Sequence, residues 1–141
     1  MKYVVDSSVG FKWLVIEPLS DKAELLRQDY RNGIHELVAP DIFPGEVTHA
    51  LTRAERQKRI TPAQGATLYI DLMITLPKLY PYIPQLPRAY EISSNMQVGV
   101  FDCLYVALAE QETCELVTAD DRLVRSLQAQ FPFIRHLSTL P

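Results

Sequence analysis

The chain has 141 residues, the size of one ordinary domain, and 48% of them are hydrophobic, which excludes a disordered polymer. A formal charge of −3 excludes nucleic-acid binding through overall charge, but not through a local basic face or a bound cation. No apolar run can span a bilayer, no basic segment leads into an apolar signal core, and Cys103 and Cys114 match neither a zinc spacing nor a disulfide framework. A cytoplasmic protein is therefore expected, with no membrane partner and each cysteine a small core residue.

Lys2-Tyr3-Val4-Val5 predicts a strand. Its apolar run does not alternate with polar residues, so both faces should be buried, as in a parallel sheet. Asp6 stands where that strand should end, followed by Ser7-Ser8 and a helix beginning over residues 9–14. Open α/β sheets bind ligands at the carboxyl ends of their strands, so Asp6 is either functional or a plain N-cap. Residues 20–32 predict a helix with Ser20 as N-cap and Gly33 just past its end. Residues 35–39 predict a second strand, stopped by Pro40. A long helix follows over residues 42–58, with Pro44 in its first turn and an apolar stripe of Val47, Ala50, Leu51 and Ala54. Thr61-Pro62 opens a helix running to about residue 75. Residues 78–83 form a third strand weakened by Pro81. Helices over 86–95 and 101–112, a strand over 115–118, a helix over 121–129 and a last strand over 133–137 complete the chain. Strands alternating with helices predict an α/β fold, a parallel sheet covered on both faces. The proline-rich run over 77–87 is too short and too apolar for a linker, so residues 1–141 are expected to form a single domain.

Four acids stand at the edges of these elements: Asp6, Glu46, Asp102 and Asp120. Each has a local explanation, because the helix macrodipole favours acids at helix starts. Thr118-x-x-Asp121 also reads as a capping box, with Asp121 reaching back to Thr118 and Asp120 one position earlier, free of the helix. Four such acids, each beside an apolar segment, point instead to one shared site. Clustered carboxylates repel, and a divalent cation removes the conflict. All-oxygen donors suit Mg²⁺ or Mn²⁺ rather than zinc. Glu46-Val47-Thr48-His49 matches a Glu-x-x-His di-iron spacing, but such sites need two copies in a helical bundle. Arg53, Arg56, Lys58 and Arg59 cluster at the far end of the long helix. Arg53 lies seven residues past Glu46, on the same side and about 10 Å along the axis, within reach of a neighbouring phosphate. The plain alternative is a solvated helix end.

Several segments taken in order resemble the PIN domain, and most of all the VapC-type toxins of toxin–antitoxin pairs. They are Val4-Val5-Asp6-Ser7-Ser8-Val9 with Lys12-Trp13-Leu14; Ala39-Pro40-Asp41 through Glu46-Val47 to Ala50-Leu51; Phe101-Asp102-Cys103-Leu104-Tyr105-Val106-Ala107-Leu108-Ala109; and Leu116-Val117-Thr118-Ala119-Asp120. Phe101 stands where the family often has Tyr, and Cys103 where it often has Ala; neither removes Asp102. The resemblance implies a PIN-like fold with strand order 3-2-1-4-5, whose topological switch lies between strands one and four, beside Asp6 and Asp120. It implies a Mg²⁺- or Mn²⁺-dependent ribonuclease with Asp6, Glu46, Asp102 and Asp120 as metal ligands and catalytic residues. Ser7 and Thr118 are then outer hydrogen-bond partners, and Arg53 and Arg56 contact RNA. Trp13 and Tyr105 are either stacking aromatics or, given their apolar neighbours, core residues. The implied partners are an RNA substrate, a second copy of the chain and a small antitoxin. A homodimer would bury apolar surplus expected at Trp13, Leu14, Tyr69, Leu72 and Met73. One alternative keeps the PIN fold as a catalytically silent binding module. Another, a phospho-acceptor receiver, wants adjacent acids after strand one and an Asp after strand three, and the chain has neither.

Overall fold

The computed structural model describes residues 1–141. Five strands, β1 (Lys2–Val5), β2 (Glu36–Pro40), β3 (Lys78–Tyr80), β4 (Glu115–Thr118) and β5 (Ile134–His136), pair in the order β3-β2-β1-β4-β5. All four pairings are parallel, with Val4 opposite Val38 on one side and Leu116 on the other. Seven helices connect them: α1 (Ser7–Leu14), α2 (Ser20–Arg31), α3 (Phe43–Arg56), α4 (Pro62–Ile74), α5 (Leu86–Met96), α6 (Val100–Glu112) and α7 (Asp121–Leu127). Right-handed crossovers put α1 to α4 on one face, because those connections move the chain one way along the sheet, and α5 to α7 on the other. The expected fold class and strand order are both present.

The core follows from the unbroken apolar strands. Val4, Val5, Val38, Leu116 and Val117 are all buried. Helix α6 is buried at every position from Cys103 to Ala109, because it lies across β1, β2 and β4 and packs on α5; a helix apolar all round belongs inside. On the other face α1 and α3 approach closely at Gly10. A Cβ there would fall 2.6 Å from Phe43 and 3.0 Å from Val47, so only glycine permits the contact. That contact sets the start of α3 beside the end of β1.

Several boundaries differ from the sequence expectation, each for a local reason. Ser20 is not a cap: Leu19 holds the N-cap position with φ 72°, while Ser20 Oγ accepts from Glu17 N at 2.9 Å and donates to Val15 O. Pro40 is itself the last residue of β2, in register with Tyr80, and the next residue, Asp41, donates its N–H to Tyr80 O at 2.8 Å. Pro81 shortens β3 to three residues at the sheet edge. Thr61 caps α4 with Pro62 in its first turn, as expected, and Gln64 adds the return bond of a capping box.

The apolar surplus also lies elsewhere. Trp13, Leu14 and Leu72 are core residues; Trp13 donates its indole N–H to Ala23 O at 2.9 Å, and the buried Arg27 guanidinium lies over its ring. Tyr69 and Met73 are exposed, joined on α4 by Ile70 and Ile74. No helix is long and apolar enough to cross a membrane.

Candidate active site

Asp6 follows the last residue of β1 and is 5% exposed. It is the N-cap of α1 and also bonds across to β4. Oδ1 accepts from Val9 N at 3.3 Å, as an N-cap does, and from Ser8 Oγ at 2.5 Å. Oδ2 accepts from Thr118 Oγ1, at the end of the adjacent β4. Ser8 Oγ in turn accepts from Ala119 N at 2.9 Å, and Thr118 Oγ1 from Asp120 N at 3.0 Å. Two hydroxyls thus tie the ends of β1 and β4 together around one carboxylate. Burial raises the Asp6 pKa to about 6, against the pull of the Ser8, Thr118 and Val9 donors, and the Asp102 charge adds to the rise.

Glu46 reaches the same edge from the first turn of α3. Tyr105, buried in α6, donates its hydroxyl to Glu46 Oε1 at 2.6 Å. Burial raises the Glu46 pKa, Asp102 raises it further, and the Tyr105 hydrogen bond and His49 oppose. The Tyr105 hydroxyl is itself pushed up, by burial and then by Glu46. Asp102, in the first turn of α6, is raised by burial and then by Asp120, with Arg122 opposing.

Asp120 corrects the expected cap register. It is the N-cap of α7, its Oδ1 accepting from Arg122 N at 2.9 Å and Leu123 N at 3.3 Å. Thr118 is still in β4, so its hydroxyl faces Asp6 rather than the helix. Asp121 is then the first helical residue, and its carboxylate pairs with His136 Nε2 at 2.8 Å.

Two cavities flank the carboxylates. One, of about 540 Å³, is lined by Ser7, Glu46, His49, Arg53 and Phe101 among others. The second, of about 120 Å³, includes Asp102, Asp120 and Arg122. Arg53 therefore reaches the site. Arg56 does not line either cavity; it bonds back to Thr52 Oγ1 at 3.4 Å on the exposed side of α3. Arg59 turns away to Glu17 at 2.9 Å. Ser7 lines the cavity, but the hydroxyl that holds Asp6 is that of Ser8.

Sequence reasoning passed over Ser8 and treated Tyr105 only as a stacking or core aromatic. Tyr105 had a readable signal, since it lies three residues after Asp102 and so on the same side of α6. Trp13 and Tyr105 are both buried, as the core alternative has it, whereas Phe101 is 54% exposed at the cavity wall.

The donor set consists of hard carboxylate oxygens, which suits Mg²⁺ or Mn²⁺. No three acid, histidine or cysteine side chains stand close enough to chelate one ion. The acids are linked pairwise instead: beside the larger effect of burial, Asp102 raises the proton affinities of Asp6 and Glu46, and Asp120 raises that of Asp102.

A parallel sheet with acids gathered at its topological switch is the layout of a PIN domain, and the PIN-domain family profile matches residues 3–126. The chain belongs to the PIN-domain family. It is 34% identical over 96 residues to the VapC ribonuclease Mb0985 of Mycobacterium bovis, covering 68% of this chain and 74% of that protein. It is 29% identical over 134 residues to ribonuclease VapC3 of Pyrobaculum aerophilum, covering 94% and 96%. In fold it is similar to PAE2754 from Pyrobaculum aerophilum, with a TM-score of 0.71 at 18% identity over 99% of this chain and 94% of that one. It is also similar to a chain of VapBC2 from Rickettsia felis, solved bound to a promoter DNA fragment, with a TM-score of 0.64 at 14% identity, covering 96% and 98%.

Proposed function

We propose that the chain is an endoribonuclease of the VapC type, the toxin of a toxin–antitoxin pair, and that Mg²⁺ or Mn²⁺ is its cofactor. The observation that carries this reading is the placement of Asp6, Glu46, Asp102 and Asp120 around the carboxyl ends of β1 and β4, with Asp6 and Glu46 raised by burial and by Asp102, and Asp102 by burial and by Asp120. The ribonuclease and toxin assignments lean on the named relatives.

In this reading the four acids hold the cation and are the catalytic residues. A bound divalent ion supplies Lewis acidity toward a phosphoryl oxygen and neutralises the carboxylates. The chain's own contribution is orientation. Ser8 and Thr118 fix both oxygens of Asp6, and Tyr105 fixes one oxygen of Glu46. Capping of α7 occupies Oδ1 of Asp120. Arg53 and Arg122, one in each flanking cavity, supply the positive charge an RNA backbone needs. Partners are an RNA substrate, a small antitoxin and a second copy of the chain, with the exposed α4 residues Tyr69, Ile70, Met73 and Ile74 as apolar surface to cover.

The test is RNA cleavage with and without chelator. EDTA should stop it, and Mg²⁺ or Mn²⁺ should restore it. Cleavage that persists after thorough chelation would replace the metal by an acid–base route.

A further inference from the structure

The cavity beside Glu46 is larger than four acids and a cation require. Its volume of about 540 Å³ is that of a small-molecule site. Its walls differ from the rest of the edge. Phe101 is the one residue of α6 from Phe101 to Ala109, apart from the half-buried Asp102, that is not buried, and it presents an aromatic ring to the opening. Arg53 lines the same space. Arg27, Arg31, Arg59, Arg88 and Arg135 each pair with a carboxylate, whereas Arg53 makes no ion pair. His49 is exposed on the turn of α3 between Glu46 and Arg53. A Cβ added at Gly45, which also lines the cavity, would meet nothing within 4 Å.

We propose that this cavity is a subsite for one unpaired nucleotide of RNA adjoining the cleaved bond, its base stacked on Phe101 and its phosphate held by Arg53. The proposal rests on the ribonuclease reading above and adds to it a site for a particular part of the substrate. An aromatic face beside a free guanidinium matches the two halves of a nucleotide, and stacking of this kind needs a base that is not already paired. The subsite therefore makes the enzyme prefer single strands. It also makes Phe101 and Arg53 substrate-positioning residues rather than holders of the cation.

The test measures binding apart from cleavage. An Asp102→Asn chain, in which one repelling charge is gone, is titrated in EDTA against a short fluorescein-labelled unstructured RNA, read by anisotropy. Adding Phe101→Ala should weaken binding about tenfold, the scale of one stacked base, and Phe101→Trp should restore it. Arg53→Ala should weaken binding and flatten the log–log salt dependence by about 0.7, one single-strand phosphate contact; Arg53→Lys should keep the slope. Gly45→Leu should fill the opening and weaken binding without lowering the urea midpoint. A duplex of the same sequence should be insensitive to Phe101→Ala. The proposal is overturned if the parent does not bind the RNA, if Phe101→Ala binds within twofold of it, or if single strand and duplex lose equally. Wild-type cleavage of the same RNA in Mn²⁺ separates the two levels. Cleavage without Phe101-dependent binding removes the subsite and leaves the nuclease; Phe101-dependent binding without cleavage does the opposite.

Discussion

The two edges of this sheet both carry acids, but in opposite states. At the amino edge Lys2 donates to Glu112 at 3.1 Å, Tyr80 donates to the same oxygen at 3.1 Å, and Arg135 pairs with Glu115 at 3.2 Å. Glu112 is held below the usual carboxylate range, first by Lys2 and then by Gln111. At the carboxyl edge Asp6 and Glu46 are pushed up by burial and by Asp102, and Asp102 by burial and by Asp120. Cavity size does not separate the edges, since a space of about 560 Å³ opens beside Lys2 and Glu112 as well. Compensation of charge separates them. Glu112 and Glu115 are given cations by the chain itself, while Asp6, Glu46, Asp102 and Asp120 make no ion pair, the pattern expected of acids kept for a function.

The largest expected effect sets one edge against the other. Asp102→Asn should lower single-turnover RNA cleavage in saturating Mn²⁺ by about 10³-fold or more, the scale of losing a group on which transition-state charge depends. Glu112→Gln should leave that rate within about twofold, because nothing joins it to the site. Equal losses in the two variants would erase the distinction.

Next is the pH dependence of the metal-free protein. Asp6 has a folded pKa of about 6 against an ordinary value of 3.8, so the folded state binds its proton more tightly. The stability from that proton is fully present below the unfolded pKa and is lost as pH rises through about 6. The loss approaches about 3 kcal/mol by neutral pH. Urea midpoints measured in EDTA should therefore fall between pH 4 and 7 in the wild type. Asp6→Asn should remove most of that slope and be the more stable protein at pH 7.

Intermediate effects belong to the groups that hold the acids. Ser8→Ala, Thr118→Val and Tyr105→Phe should each lower cleavage about 10- to 100-fold, as losses of outer-shell partners do. Ser7→Ala should change it far less, because Ser7 bonds neither oxygen of Asp6. If Ser7→Ala is the more damaging serine variant, the hydrogen bonding around Asp6 is misassigned.

The smallest effects are those on stability, which with the cleavage rate distinguish Asp120 from Asp121. Asp120→Ala should lose cleavage and also about 0.5–2 kcal/mol of stability, since it removes the α7 cap. Asp120→Asn should lose cleavage but keep the cap. Asp121→Ala removes only an exposed contact to His136 and should cost less than about 1 kcal/mol, with the rate intact. Cleavage that depends on Asp121 and not on Asp120 would mean the functional acid is the next residue along.

What the sequence determined by itself was whatever one-dimensional pattern can carry. Unbroken runs such as Tyr3-Val4-Val5 and Leu116-Val117-Thr118 marked doubly buried strands, and alternation with helices marked a parallel sheet. Each of the four acids could be placed at the end of an element. The family resemblance supplied the strand order 3-2-1-4-5, which the structure has. Tertiary structure alone decided how side chains were shared between elements. Ser8 and Thr118 lie 110 residues apart in sequence, and their meeting over Asp6 depends on β1 pairing with β4. The same pairing turned Thr118 toward Asp6 and left Asp120 to cap α7. Trp13 was buried because α2 folds over α1 and puts the Arg27 guanidinium above its ring, whereas Phe101 was left exposed because α6 enters the core one turn later. Local pattern reports what each segment prefers, but a hydroxyl or an aromatic ring is equally content with several partners. Which one it obtains is decided only when the sheet brings distant segments into contact.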